Sequence, residues 1–205
     1  MKLTIILPAY NEEKLVQRAL DSLPISKDYQ YILIDDGSTD NTEKIMERWF
    51  LENEGKLGAG SIFLPLKENL GVAEAMNIGF DMAQGEYIVS LSADDYYVRD
   101  FGEFMPYLDG RNDLIYFDLE INNGEVWHLD ENSKHLYPGA VKFIRNEFLA
   151  DTMVPSLKYR EDVPFSEALQ RKNPREVFTG IVLKHYNFPH EGSLTWQAWQ
   201  DDERK

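Results

Sequence analysis

Two matching stretches decide the fold of this chain: LTIILPAYNE at residues 3–12 and YILIDDGSTD at residues 31–40. Each begins with an apolar, β-rich run and ends in polar residues, which is typical of a buried parallel strand that opens into a loop. Between them, apolar residues at helical spacing over residues 15–23 predict a helix, with Asn11 as its N-cap and Pro24 at its end. The chain therefore starts as a β-α-β unit.

The same alternation continues to about residue 100. A helix capped by Ser38 or Asp40 is followed by a strand at residues 61–64, a helix at 70–83 and a strand at 86–91. Short connections between alternating strands and helices predict an α/β fold, with a doubly wound, Rossmann-like, mostly parallel sheet flanked by helices. In such a sheet the ligand crevice lies at the carboxyl ends of the strands.

The second half has shorter elements. Its pattern predicts a hairpin of two strands around the turn NNG at residues 122–124, and then a helix at residues 139–150. A helix at residues 161–171 and a strand at residues 176–182 follow. No Gly/Ser-rich or Pro-rich linker separates the halves, so we expect one domain over residues 1–205, in which the second half is a small C-terminal extension.

Charge and composition narrow the function. The chain has 205 residues, with 21 basic and 36 acidic side chains and a formal net charge of −15. Such a surface repels phosphodiester backbones, so nucleic acid is not an expected partner, and an anionic nucleotide needs a divalent cation between it and the protein. The absence of cysteine excludes disulfides and thiolate metal sites. The apolar N-terminal run is too short for a signal peptide or a membrane span, so we expect cytoplasmic residence and no integral membrane segment.

Two acidic pairs follow predicted strands. An ionised carboxylate of Asp35-Asp36 makes a charge-assisted hydrogen bond to the N–H of uracil or guanine, whereas the alternative is an Asx turn that caps the next helix. The pair Asp94-Asp95 can hold Mg²⁺ or Mn²⁺ while a diphosphate supplies further oxygens, and its alternative is a solvated turn. Both pairs lie at carboxyl ends of strands, which favours a ligand site.

Four motifs occur in a specific order: PAYNE at residues 8–12, IDDGSTD at 34–40, NLG at 69–71 with AMNIG at 75–79, and SADD at 92–95. Together they resemble the signatures of family 2 glycosyltransferases with the GT-A fold, and the resemblance covers roughly the first 100 residues. It implies a metal-dependent, inverting transfer of a single sugar from a nucleoside diphosphate donor, with UDP favoured. The implied acceptor is a hydroxyl of a saccharide, a lipid-linked glycan or a protein, in polysaccharide biosynthesis.

The resemblance also implies the site residues. Those that bind the nucleotide are Pro8, Ala9, Tyr10, Glu12, Asp35, Asp36, Asn69, Gly71, Asn77 and Asp94. Asp95 holds the metal, with His190 from the C-terminal loop, and Asp162 of the Glu161-Asp162 pair is the catalytic base. A structural role for that pair at a helix N-terminus is compatible with catalysis. Many relatives carry Asp in place of Ser92, so the acidic motif is incomplete here.

The resemblance makes residues 1–100 the nucleotide-sugar-binding half and residues 101–205 the acceptor side, where Trp127 is a candidate for stacking on a sugar. A non-catalytic sugar-nucleotide-binding protein of the same fold is the main alternative, and Ser92 supports it. A nucleotidyltransferase would need a Gly-rich basic loop, which residues 8–12 do not provide. The segment QAWQ at residues 197–200 lacks the Arg-Trp pair of processive synthases, which favours single addition.

Overall fold

The computed structural model describes residues 1–134, 139–157 and 160–188. The strands are β1 (Leu3–Ala9), β2 (Tyr29–Asp35), β3 (Ile62–Pro65), β4 (Tyr87–Ser90), β5 (Tyr96–Tyr97), β6 (Leu114–Ile121), β7 (Val126–Trp127), β8 (Lys142–Arg145) and β9 (Glu176–Tyr186). The helices are α1 (Val16–Asp21), α2 (Thr42–Asn53), α3 (Val72–Met82), α4 (Asn146–Leu149) and α5 (Asp162–Gln170). No helix among these residues is both long and apolar enough for a transmembrane span.

All nine strands join one mixed sheet in the order β3-β2-β1-β4-β8-β6-β9-β5, with β7 paired to β6. The pairs β1–β2, β1–β4 and β2–β3 are parallel, as predicted for the first half. The apolar runs of β1 and β2 are fully buried at Ile5, Ile6, Ile32 and Leu33, because helices cover this part of the sheet. The predicted α/β architecture is confirmed.

The second half continues the same sheet. Strand β8 is antiparallel to both β4 and β6, and β9 is parallel to β6. Strands β4, β6 and β9 therefore run in the same direction, and their carboxyl ends lie at the same edge of the sheet as those of β1 and β2. That edge collects the loops that carry the acidic motifs.

Two sequence predictions of local structure are wrong. The helix predicted at residues 139–150 is strand β8 followed by the short helix α4, because Ile144 pairs with Ile88 of β4 and Leu114 of β6. Asn11 does not cap α1, which begins only at Val16. Its φ is 53°, and its side-chain oxygen accepts the backbone N–H of Thr39 at 2.8 Å, so Asn11 joins two loops instead.

Candidate functional site

The end of β1 forms the first part of the site. Pro8 and Ala9 are the last residues of this strand, and the carbonyl oxygen of Ala9 accepts the backbone N–H of Asp36 at 2.8 Å. Tyr10 follows with 42% of its surface exposed. The predicted residues Pro8, Ala9 and Tyr10 thus lie beside the loop after β2.

Glu12 lies in a concentrated negative field. Its backbone N–H donates to Thr42 Oγ1 at 2.7 Å, which holds the loop after β1 against the start of α2. Burial, together with the charges of Asp94, Asp40 and Asp95, raises the pKa of the Glu12 carboxyl to about 7. Carboxylates from three loops therefore repel one another here, and a bound cation would relieve that repulsion.

The two aspartates after β2 have different surroundings. Asp36 is buried, and its Oδ1 and Oδ2 accept the backbone N–H groups of Leu70 at 2.7 Å and Gly71 at 2.9 Å. Burial raises the pKa of Asp36, and these hydrogen bonds oppose the rise. Asp35 accepts the N–H of Ser38 with Oδ2 at 3.0 Å. Among the buried side-chain polar atoms of the described residues, only Asp35 Oδ1 has no hydrogen-bond partner.

The loop before α3 lies tightly against the loop after β2. Gly37 has a φ of 69°, and a Cβ at this position would lie 2.5 Å from the carbonyl carbon of Glu68. Only glycine therefore allows this approach of the two backbones. The approach brings the predicted residues Asn69, which is exposed, and Gly71 to the site edge.

Asn77 has a structural position. It is buried in α3, where its Nδ2 donates to the carbonyl oxygen of Val154 at 2.9 Å and its Oδ1 accepts the N–H of Val154 at 2.8 Å. Both polar groups of the side chain are used in this way. Asn77 therefore joins α3 to residues 152–157, and its side chain does not present a free group to a nucleotide.

The two aspartates after β4 also differ. Asp95 is 1% exposed, its Oδ2 pairs with Lys184 Nζ at 2.9 Å, and its Oδ1 accepts the backbone N–H of Asn187 at 2.9 Å. A metal ion at Asp95 would have to displace Lys184. Asp94 is half-buried, and its carboxylate could hold a divalent cation together with that of Glu12.

The described part of the chain offers only part of a metal shell. Within residues 1–134, 139–157 and 160–188, no group of three or more His, Asp or Glu side chains is placed to hold a metal ion. His190, the other predicted ligand, lies outside the described residues. A cation at Asp94 would need oxygens from a bound diphosphate, as Mg²⁺ commonly does.

The predicted base lies on the acceptor half. Asp162 is the first residue of α5, and burial raises its pKa, while the charge of Lys142 opposes the rise. Burial and the charge of Asp162 raise the pKa of Glu161. Lys142 and Lys184 were missed as site residues. Their signal in the sequence is a lysine next to a short apolar run, in VKFI at residues 141–144 and IVLKHY at residues 181–186.

Aromatic side chains line the end of β9. Trp127 is half-buried, and its ring centroid lies 6.0 Å from that of Tyr186 and 5.4 Å from that of Phe188. His185 stacks on Tyr96 with a centroid distance of 4.6 Å. Trp127, the predicted candidate for stacking on an acceptor sugar, thus lies at the carboxyl edge of the sheet. It is next to β9, whose Lys184 forms the ion pair with Asp95.

This site lies at the carboxyl edge of a mostly parallel sheet, as the sequence predicts. Comparison with known proteins shows the protein family to which the chain belongs. A model of the family described as Glycosyl transferase family 2 matches residues 4–176, and the chain belongs to this family. It is 33% identical over 98 residues to the undecaprenyl-phosphate 4-deoxy-4-formamido-L-arabinose transferase of Proteus mirabilis, over 45% of this chain and 29% of that protein. It is 34% identical over 96 residues to the teichoic acid poly(glycerol phosphate) polymerase of Staphylococcus epidermidis, over 46% of this chain and 13% of that protein.

Solved structures share the fold. The structure of S. aureus TarS 1-349 in complex with UDP-GlcNAc aligns with a TM-score of 0.77 at 22% identity, over 95% of this chain and 60% of that chain. The mannosyltransferase PcManGT from Pyrobaculum calidifontis, in complex with GDP-Man and Mn²⁺, aligns with a TM-score of 0.71 at 19% identity, over 97% of this chain and 59% of that chain. The chain thus spans less than two thirds of the length of these relatives.

Proposed function

We propose that this chain transfers a sugar from a nucleoside diphosphate donor, with UDP favoured, to an acceptor hydroxyl in polysaccharide or lipid-linked glycan synthesis. The transfer inverts the anomeric configuration and adds a single sugar to each acceptor. Membership of family 2 supports the reaction class, and the matched relatives that act on undecaprenyl phosphate or teichoic acid support an acceptor of this kind.

The observation that carries the proposal is the acidic cluster at the carboxyl edge. Glu12, Asp40 and Asp94 come from loops after three different strands, and the resulting repulsion helps to raise the pKa of Glu12 to about 7. A cluster that destabilises its own ionised form favours a bound cation, and a divalent cation supports a diphosphate leaving group. The Mn²⁺ complex of PcManGT is consistent with this role.

Each group of site residues has a separate role in this proposal. The loops at Pro8–Glu12 and Asp35–Gly37 bind the nucleoside, with Asp35 as the carboxylate that retains an unpaired acceptor oxygen. Asp36 positions the loop before α3 by accepting two of its N–H groups. Asp94 and Glu12 would hold the cation, which would supply positive charge to stabilise the leaving diphosphate. Asp162 takes the proton of the acceptor hydroxyl.

A thermal-shift titration tests the donor and the metal together. UDP, GDP and dTDP are each added with Mn²⁺, with Mg²⁺ or with EDTA, and UDP is expected to stabilise the protein only with metal. Equal stabilisation in EDTA would remove the metal role of Asp94. The absence of any shift with all three nucleotides would contradict the donor assignment.

A non-catalytic sugar-nucleotide-binding protein is the second candidate, because Ser92 shortens the acidic motif and Asp95 is already paired with Lys184. Both functions predict the thermal shift. Release of UDP from a UDP-sugar in the presence of Mn²⁺ separates them, since only an enzyme turns the donor over.

A further inference from the structure

Lys142 is a charged residue in the middle of the sheet. It is 4% exposed in β8, between β4 and β6, where a lysine is costly unless its ammonium has partners. Its Nζ donates to the carbonyl oxygen of Gly139 at 3.3 Å and lies 5.6 Å from the ring centroid of Tyr116. Burial lowers the pKa of Lys142 to about 8, and the charge of Asp162 opposes that fall.

Gly139 brings Lys142 and Asp162 to the same turn. A Cβ built on Gly139 would lie 3.1 Å from Asp162 Oδ2, so the carboxylate packs directly against this backbone. The carbonyl of the same residue binds Lys142. A buried cation and the proposed base therefore contact one glycine, although they come from β8 and from the start of α5.

Among the described residues, Lys142 is the main buried charge that lowers the pKa of Asp162. Arg160 also lowers the pKa of Asp162, but it is exposed, so solvent screens its charge. Glu161 is the adjacent like charge, and its own pKa is raised by Asp162.

Two further charges that act on Lys142 are on β9. Glu176 attracts it and Lys184 repels it. Glu176 forms an ion pair with Lys134 and accepts a hydrogen bond from Tyr116 Oη at 2.9 Å. Lys184 is paired with Asp95. Of the two carboxylates that raise the pKa of Lys142, Asp162 has the larger effect, and Glu176 already has Lys134 as a counter-charge.

We propose that Lys142 is the positioning residue of the catalytic base, and that its ammonium, fixed by the Gly139 carbonyl, keeps Asp162 ionised and oriented toward the acceptor. This proposal rests on the proposed function. In the transfer, the acceptor O–H bond breaks and its proton goes to Asp162 as the acceptor oxygen bonds to the anomeric carbon. The electron pair of the anomeric C–O bond leaves with the diphosphate. Asp162 must be ionised before this step, and Lys142 favours that state.

The pH dependence of kcat/KM tests this role in Lys142→Met and Lys142→Arg. A neighbouring opposite charge typically lowers a carboxylate pKa by about 1–3 units. In Lys142→Met, the acidic side of the profile of kcat/KM against pH, where Asp162 loses its proton, should therefore move upward by about one pH unit or more. Arginine keeps the charge and should restore most of that shift. Lys44→Met, which removes an exposed lysine of α2, is the matched control and should not move this side of the profile. If Lys142→Met folds and the acidic side of its kcat/KM profile lies at the same pH as in the wild type, the proposal is overturned.

A carboxyl ¹³C NMR titration gives a readout that needs no turnover. The Asp162 resonance, assigned by its loss in Asp162→Asn, should titrate at higher pH in Lys142→Met than in the wild type. An unchanged midpoint would contradict the coupling even if activity is lost. If the midpoint moves but the wild type transfers no sugar, the electrostatic coupling of Lys142 to Asp162 is supported and the proposed reaction fails.

Gly139→Ala tests the shared turn with the lysine intact. Its methyl group would lie 3.1 Å from Asp162 Oδ2 and should displace the carboxylate. We expect a loss of kcat of about tenfold or more from misplacement of the base, with the UDP thermal shift unchanged. Wild-type kcat in this variant would show that the position of Asp162 does not depend on Gly139, and would contradict the proposal.

Discussion

Asp95→Asn should lower the free energy of unfolding strongly and should have little effect on metal binding. Asp95 and Lys184 have side chains only 1% and 4% exposed, and they are paired at 2.9 Å. The amide keeps the size of the carboxylate and can still accept the N–H of Asn187, but it leaves the ammonium of Lys184 buried without its counter-charge. Removing one partner of a buried ion pair costs about 3–5 kcal/mol.

The expected effect is large enough to measure directly. For a domain of this size, 1 kcal/mol lowers Tm by about 2–4 °C, so a loss of about 3 kcal/mol lowers Tm by about 6–12 °C. Urea denaturation of Asp95→Asn, Lys184→Met and the double variant forms a double-mutant cycle. The double variant should be more stable than the sum of the single losses predicts, because it removes both charges.

Asp94→Asn is the matched comparison. Asp94 is half-buried, so the free energy of unfolding of the variant should stay within about 1 kcal/mol of the wild-type value. The Mn²⁺-dependent part of the UDP thermal shift should disappear. The reasoning is refuted if Asp95→Asn has wild-type stability and loses the metal-dependent shift while Asp94→Asn keeps it. That result would restore Asp95 as the metal ligand and make Lys184 displaceable.

Three further predictions concern single carboxylates. Asp36→Ala removes the acceptor of two backbone N–H groups at the start of α3, so urea denaturation should show a loss of about 2–4 kcal/mol, together with weaker UDP binding. Glu12→Gln should stabilise the protein by about 1–2 kcal/mol above pH 7, after discounting for partial exposure. The folded pKa of about 7 exceeds the ordinary 4.5, so the wild type loses stability as pH rises through this window, and the difference should vanish below pH 4.5. Asp162→Asn should lower the transfer rate by about 10²–10⁴-fold in steady-state assays, with the UDP thermal shift unchanged.

Each of these predictions has its own contradicting result. Unchanged stability of Asp36→Ala would mean that the loop before α3 holds without its carboxylate. A Glu12→Gln advantage that is the same at pH 4 and pH 8 would exclude the titration of Glu12 as its cause. For Asp162, Glu161→Gln is the control; wild-type rates in both variants would assign the pair to the helix terminus, and loss in Glu161→Gln alone would make Glu161 the base.

Local sequence was sufficient for the first half of the fold. The apolar runs of β1 and β2 are followed by loops whose polar residues bond to one another, so hydrophobic pattern and turn chemistry agree there. Family membership also follows from the motifs at residues 8–12, 34–40, 69–79 and 92–95, and the family model confirms it. The acidic pairs could be placed at the carboxyl edge for the same reason, because parallel strands end together.

Only the tertiary structure decided how the carboxylates within each pair differ. Asp35 and Asp36 are adjacent in sequence, but one keeps an unpaired oxygen and the other anchors the loop before α3. Asp95 is occupied by a lysine from β9, far along the chain. Within residues 139–150, where a helix was predicted, residues 142–145 form strand β8 because β4 and β6 pair with it on both sides. Each outcome depends on contacts between distant segments, which a local pattern of polarity does not encode.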